Sequence, residues 1–155
     1  MPFQIQAIPM ATYAALFDLD DKDLAKTGAR RVIATSKPGF PCRVSLEDAD
    51  PGDELILLNH QHLDANTPFA SAHAIYVRRG ATEAHPDPDE IPEVMAGRLL
   101  SVRAFNSENM MIDADVVDGG DLGEKLDNML ADPNVDFIHI HNARQGCFSA
   151  TAVRP

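Results

Sequence analysis

Residues 54–59 read Glu-Leu-Ile-Leu-Leu-Asn, and this stretch decides the fold class. Four consecutive apolar residues leave the segment without a polar face, which is typical of a strand covered on both sides. We therefore expect residues 54–59 to form an interior strand. A Lys-Pro-Gly-Phe-Pro turn at 37–41 precedes this segment. Short strands joined by such turns favour a mostly antiparallel sheet.

Working outward from that strand, apolar alternation and turn residues divide the whole chain into short elements. Three helices are predicted, at 10–17, 20–27 and 122–130. The signals used are apolar residues at helical spacing, acidic residues in the first turn, and a glycine or proline just after the last turn. The remaining strands are predicted at 3–8, 31–35, 42–46, 73–78, 99–105, 110–117, 135–141 and 147–153. These elements predict an α+β fold: a single domain over residues 1–155, with a mostly antiparallel sheet and helices covering one face.

Composition and charge restrict the function classes. The chain has 155 residues, of which 45% are hydrophobic and 24% charged, as in ordinary globular domains. Its 13 basic and 24 acidic residues give a formal net charge of -11, which disfavours nucleic acid and anionic membranes as partners. Without a signal-like or membrane-spanning segment, we expect a cytoplasmic location. Cys42 and Cys147 should then be free thiols, with Cys42 buried and inert.

The last predicted hairpin places chemically active residues on one face. Side chains two positions apart in a strand share a face, so His139 and His141 point the same way while Ile138 and Ile140 point the other way. A five-residue loop at 142–146 would set His141 opposite Cys147 and His139 opposite Ser149.

The preceding hairpin has a similar division of faces. A three-residue loop at 107–109, with Asn109 in the left-handed region, would pair Arg103 with Asp113 and Ser101 with Asp115. This register collects the apolar side chains on the opposite face, namely Leu100, Val102, Ala104, Ile112, Ala114 and Val116.

If the two hairpins belong to one sheet, their polar faces form one candidate site. Its candidate catalytic residues are Cys147, His141 and His139, and its candidate binding residues are Arg103, Asp113, Asp115, Ser149 and Asn142. A thiolate-imidazolium pair of Cys147 and His141 could act as a nucleophile. Alternatively, His139, His141 and Cys147 could supply three zinc ligands. The plainest alternative is a solvent-facing side of a half-covered sheet.

Metal and cofactor binding are not expected from the sequence. The spacing H-x-H-x5-C is not a standard zinc pattern, and no oriented group is evident to hold the ligating histidines in place. His60 and His62 lie where a strand should give way to a loop, so we expect both to face solvent.

Two blocks carry a family resemblance: residues 38–46, Pro-Gly-Phe-Pro-Cys-Arg-Val-Ser-Leu, and residues 139–148, which contain His-Ile-His-Asn-Ala and Gly-Cys-Phe. With the segment Leu-Leu-Ser-Val-Arg-Ala-Phe, they resemble the bacterial domain-of-unknown-function family 1203. The resemblance spans nearly the whole chain, and it implies kinship without an activity. The best reading of function is a domain that binds a small molecule on the polar sheet face. The alternatives are an enzyme with a Cys-His pair or metal site, and a structural or interaction domain, such as a homodimer formed along a free strand edge.

Overall fold

A computed structural model describes residues 2–155 as eight strands in two antiparallel sheets, with three α-helices. The strands are β1 (Gln4–Gln6), β2 (Arg30–Ile33), β3 (Glu54–Leu63), β4 (Ser71–Arg78), β5 (Leu99–Phe105), β6 (Met111–Asp118), β7 (Phe137–Asn142) and β8 (Phe148–Val153). The helices are α1 (Asp21–Lys26), α2 (Glu93–Ala96) and α3 (Leu122–Leu130). The predicted α+β class is confirmed, and the antiparallel strands are distributed over two sheets.

The interior position of residues 54–59 is also confirmed. Strand β3 lies between β2 and β4 in the three-stranded sheet, and Leu55, Ile56 and Leu58 are buried. The strand continues four residues beyond the predicted end, as far as Leu63. The continuation carries His60 and His62 into the sheet, so the prediction that they lie in a solvent-facing loop was wrong.

The larger sheet has the order β1-β8-β7-β5-β6, and its apolar face is covered by helices α2 and α3. Val102 and Ile140 of the sheet pack in one buried cluster with Leu122 and Leu126 of α3. Complete burial of such a side chain contributes about 1.5–3 kcal/mol, so this interface supplies much of the folding free energy. The predicted helix at 122–130 and its role as a cover are confirmed.

The opposite face of the larger sheet meets the smaller sheet through Phe148 of β8. This ring is 4% exposed and packs in a second cluster with Ile56 and Ile75 from β3 and β4. The contact brings polar side chains of β7 close to the distal half of β3. The candidate site described below lies at this junction.

Two predicted elements near the N-terminal half differ from the structure. Residues 10–17 form two short 3-10 segments, Met10–Thr12 and Ala14–Asp18, because their backbone bonds run from residue i to i+3. Residues 42–46 form a tight turn, closed by the bond from the Leu46 amide to the Cys42 carbonyl. Leu46 has a φ of 54°, outside the range of a strand. Cys42 is fully buried as expected, and the adjacent Arg43 is only 1% exposed.

Among residues 2–155, no helix is both long enough and apolar enough to cross a bilayer.

Candidate functional site

The first hairpin, β5 with β6, has a different register from the one predicted. The loop at 107–109 and the left-handed Asn109 are as expected. A bulge next to the loop, between the Ala104 and Phe105 pairs, then shifts the rest of β6 by one residue. Arg103 therefore pairs with Ala114, and Val102 pairs with Asp115.

This shift separates the carboxylates from the arginine. Asp113 and Asp115 lie on the helix-covered side of the sheet, where Asp115 forms an ion pair with Lys125 of α3. Val116 instead lies on the Arg103 side and is 56% exposed, and Ile112 is the extra residue of the bulge and is 42% exposed. Apolar patterning fails here because β6 is an edge strand, so neither of its faces is fully covered.

A bulge also changes the second hairpin, β7 with β8. His141 pairs with Phe148, and the register shift after it makes His139 pair with Thr151. Ser149 falls in the bulge and is 2% exposed, so its predicted place opposite His139 was wrong. The prediction that Cys147 faces His141 was also wrong, because Asn142 continues the pairing: its amide donates to the Cys147 carbonyl at 2.9 Å, and Phe148 lies opposite His141.

The thiol of Cys147 has other partners. The guanidinium of Arg43 donates to its Sγ at 3.0 Å, and the side-chain amide of Asn142 donates to it at 3.5 Å. The sequence-predicted cysteine therefore belongs to an arginine-lined position behind the hairpin loop. It does not belong to the histidine face.

Five histidines from both sheets gather at the junction: His60, His62, His73, His139 and His141. His60 pairs directly with His73, whereas His62 falls in a bulge of β3 between the Gln61 and Leu63 pairs. A bulge re-aims the side chain it carries, and here His62 is directed toward β7. Its ring stacks on Phe148 with the centroids 4.8 Å apart and the planes 3° from parallel.

Short contacts between ring nitrogens link the cluster. Nε2 of His62 lies 2.7 Å from Nδ1 of His73, and Nδ1 of His62 lies 3.2 Å from Nδ1 of His139. The Ser71 hydroxyl lies 3.2 Å from Nε2 of His62. At the outer end, the Tyr13 hydroxyl lies 2.6 Å from Nδ1 of His60.

His141 is the most constrained member of the cluster. It is fully buried, and its Nδ1 lies 3.0 Å from the carbonyl oxygen of Gly146. A carbonyl oxygen only accepts hydrogen bonds, so Nδ1 carries the proton and Nε2 of the neutral ring has a free lone pair. Among residues 2–155, no group forms a hydrogen bond with this buried Nε2. An unpaired buried polar atom is costly and calls for an explanation.

The cluster is electrically neutral at physiological pH. Burial lowers the pKa of His62, His139 and His141 to about 3, with smaller contributions from neighbouring rings and Arg103. Burial lowers the pKa of His60 and His73 as well. A neutral imidazole is the form that binds metal ions.

Three of these rings are placed to share one ion. One ring nitrogen from each of His62, His73 and His141 lies within 4.8 Å of the other two. The bonds from His141 to Gly146 and between His62 and His139 provide the outer partners that usually orient ligating imidazoles. Sequence reasoning included His141 and His139 but missed His62 and His73. The available signal was the repeated His-x-His pattern at 60–62 and 139–141.

The fold and its junction define the class of this molecule as an α+β domain with a histidine-rich site between two antiparallel sheets. The chain belongs to the family described as Protein of unknown function (DUF1203), whose model matches residues 39–154. The match includes both sequence blocks that carry the resemblance, apart from Pro38, and all five clustered histidines. No curated protein and no solved structure matches the chain significantly.

Proposed function

We propose that this domain binds a zinc ion through His62, His73 and His141 and presents an open coordination position to a ligand or to water. The observation that carries the proposal is the buried, unpartnered Nε2 of His141. Its ring is held through Nδ1 by the Gly146 carbonyl, and two further neutral imidazoles supply nitrogens within 4.8 Å of a His141 ring nitrogen. This proposal replaces the expectation from the sequence that no metal is bound.

The donor set determines the kind of metal site. Three protein imidazoles with a free fourth position are typical of catalytic zinc sites, whereas structural zinc sites usually have four protein ligands, most of them cysteines. Cys147 is engaged by Arg43 and is not one of the three grouped residues. Zinc bound in this way lowers the pKa of a coordinated water to near neutrality.

Binding requires only a small adjustment of the side chains. Tetrahedral zinc with bonds of about 2.0 Å needs ligand nitrogens about 3.3 Å apart. His62 and His73 are partly exposed and can rotate toward His141, which is fixed by burial and by Gly146. His139 then accepts the Nδ1 proton of His62 and keeps that ring in the orientation needed at Nε2.

Zinc titration of the untagged, chelator-treated protein tests this proposal. We expect one equivalent to bind, and we expect His73→Gln to weaken binding by about ten-fold or more because one of three ligands is removed. His73 suits the test because it is only partly buried, so its substitution leaves the core intact. His85→Gln is the matched control, since His85 is exposed and contacts Glu83.

Two results would contradict the zinc proposal. The first is a failure of the wild-type protein to bind zinc in the micromolar range. The second is equal binding by wild type and His73→Gln. Circular dichroism of each variant establishes that a lost site is not a lost fold.

One observation supports a small-molecule site at a different place from the polar sheet face predicted from the sequence. Asn142 is 6% exposed and lines a cleft of about 470 Å³ together with Arg98, Arg144 and Gly119, and its Oδ1 has no partner among residues 2–155. A nuclear magnetic resonance screen of small polar compounds, repeated on Asn142→Leu, tests this second candidate. Free thiols at Cys42 and Cys147 support the cytoplasmic, reducing location that both candidates assume.

A further inference from the structure

Arg103 lies on the same sheet face as the buried histidines. It is directly opposite His139 in the register of β5 with β7, and Ser101 beside it is opposite His141. Its Nε donates to the Ser101 hydroxyl at 3.2 Å. Across residues 2–155, no carboxylate lies within 4.0 Å of its guanidinium.

Arg103 is one of six arginines without a carboxylate partner among residues 2–155, together with Arg30, Arg43, Arg78, Arg144 and Arg154. Arg43 and Arg154 donate instead to backbone carbonyls, whereas the terminal nitrogens of Arg103 have no hydrogen-bond partner among the same residues. The register shift in β6 moves Asp113 and Asp115 to the other face, away from Arg103. The junction is therefore a positive region with unused hydrogen-bond donors.

We propose that Arg103 makes the zinc site selective for small oxyanions, with one oxygen on the metal and another on the guanidinium. This inference rests on the proposed function. A divalent ion held by three neutral imidazoles adds two positive charges beside an unpaired guanidinium, and an anionic ligand offsets that charge. The planar fork of arginine matches the two oxygens of a carboxylate or phosphate. Ser101 orients the guanidinium through its Nε and leaves the terminal nitrogens for the ligand.

Cobalt(II) substitution makes the test visible, because its absorption spectrum responds to a change in coordination. The cobalt-loaded protein is titrated separately with inorganic phosphate and with acetate. We expect a saturable spectral change, and we expect Arg103→Gln to weaken anion binding by about ten-fold or more while cobalt affinity stays equal or increases. Arg103→Lys should restore part of the anion affinity, since it keeps the charge but loses the fork.

Arg30→Gln serves as the matched control, because Arg30 is an exposed arginine of β2 in the smaller sheet. A response to either anion that depends on Arg103 supports the inference, and the preferred anion identifies the ligand class. Cobalt binding without an anion response, or an equal response in Arg103→Gln, overturns this inference alone. Failure of cobalt to bind overturns the proposed function and the inference with it.

Discussion

Mild acid should destabilise the metal-free protein through its buried histidines. His139 and His141 are 4% and 0% exposed, and burial lowers the pKa of each to about 3 from an ordinary value of 6.5. In the unfolded chain both rings bind protons below pH 6.5, whereas in the folded protein both stay neutral until near pH 3. Stability is therefore complete above pH 6.5 and is lost as the pH falls.

The size of this loss of stability follows from the lowered pKa values of His139 and His141. One pKa unit corresponds to about 1.4 kcal/mol, so each of the two rings costs about 2 kcal/mol of unfolding free energy between pH 7 and pH 5. His62, which is partly exposed, adds less because water screens it. His73 and Arg103 face the same space as His141, and their positive charges would oppose its protonation further. This window also avoids most carboxylate titration.

The assay is urea unfolding with a chelator present, at half-unit steps from pH 7 to pH 5. We expect His141→Gln to lose about half of the pH dependence of the two buried rings, and His85→Gln to retain all of it. A stability that is constant over this range, or equal slopes for wild type and His141→Gln, would refute the reasoning.

Three further substitutions test the architecture that holds the site, each measured by chemical unfolding. Gly119→Ala should be destabilising by about 3 kcal/mol, because the new Cβ would overlap backbone carbonyls of α2, while Gly120→Ala, with open space around it, should change little. Phe148→Ala should cost about 3 kcal/mol, since the buried ring joins the two sheets, and a cost below 1 kcal/mol would contradict that role. Asp48→Ala should cost about 3 kcal/mol because it removes the buried partner of Arg98; no change would show that the pair is not formed.

Much of the architecture could be predicted from local patterns. The helix Leu122–Leu130 has the predicted bounds, and the interior strand and both hairpins are present because apolar periodicity and turn residues act over a few positions. The division into two sheets was not predictable from these patterns. It depends on the packing of Phe148 against β3 and β4, which are distant in sequence, and such a contact produces no periodic pattern of apolar residues.

The candidate site was less predictable because bulges decide it. One extra residue in β6 moves two aspartates to the other face, the turn between β7 and β8 sets Phe148 instead of Cys147 opposite His141, and one extra residue in β8 removes Ser149 from its predicted pair with His139. A bulge inverts the alternation beyond it, so strict period-two reasoning fails from that residue onward. The pairing of two distant His-x-His segments likewise requires knowledge of which sheet faces meet.

The identity of the donor atoms is the most direct test of the zinc site. X-ray absorption spectroscopy of the zinc-loaded protein should show three imidazole nitrogens at about 2.0 Å, a fourth nitrogen or oxygen donor and no sulfur. Cys147→Ser should leave this spectrum unchanged, because the Cys147 thiol accepts a hydrogen bond from Arg43 and lies outside the three-histidine group. A zinc–sulfur distance of about 2.3 Å, or fewer than three imidazoles, would contradict the assignment of His62, His73 and His141 as the ligands.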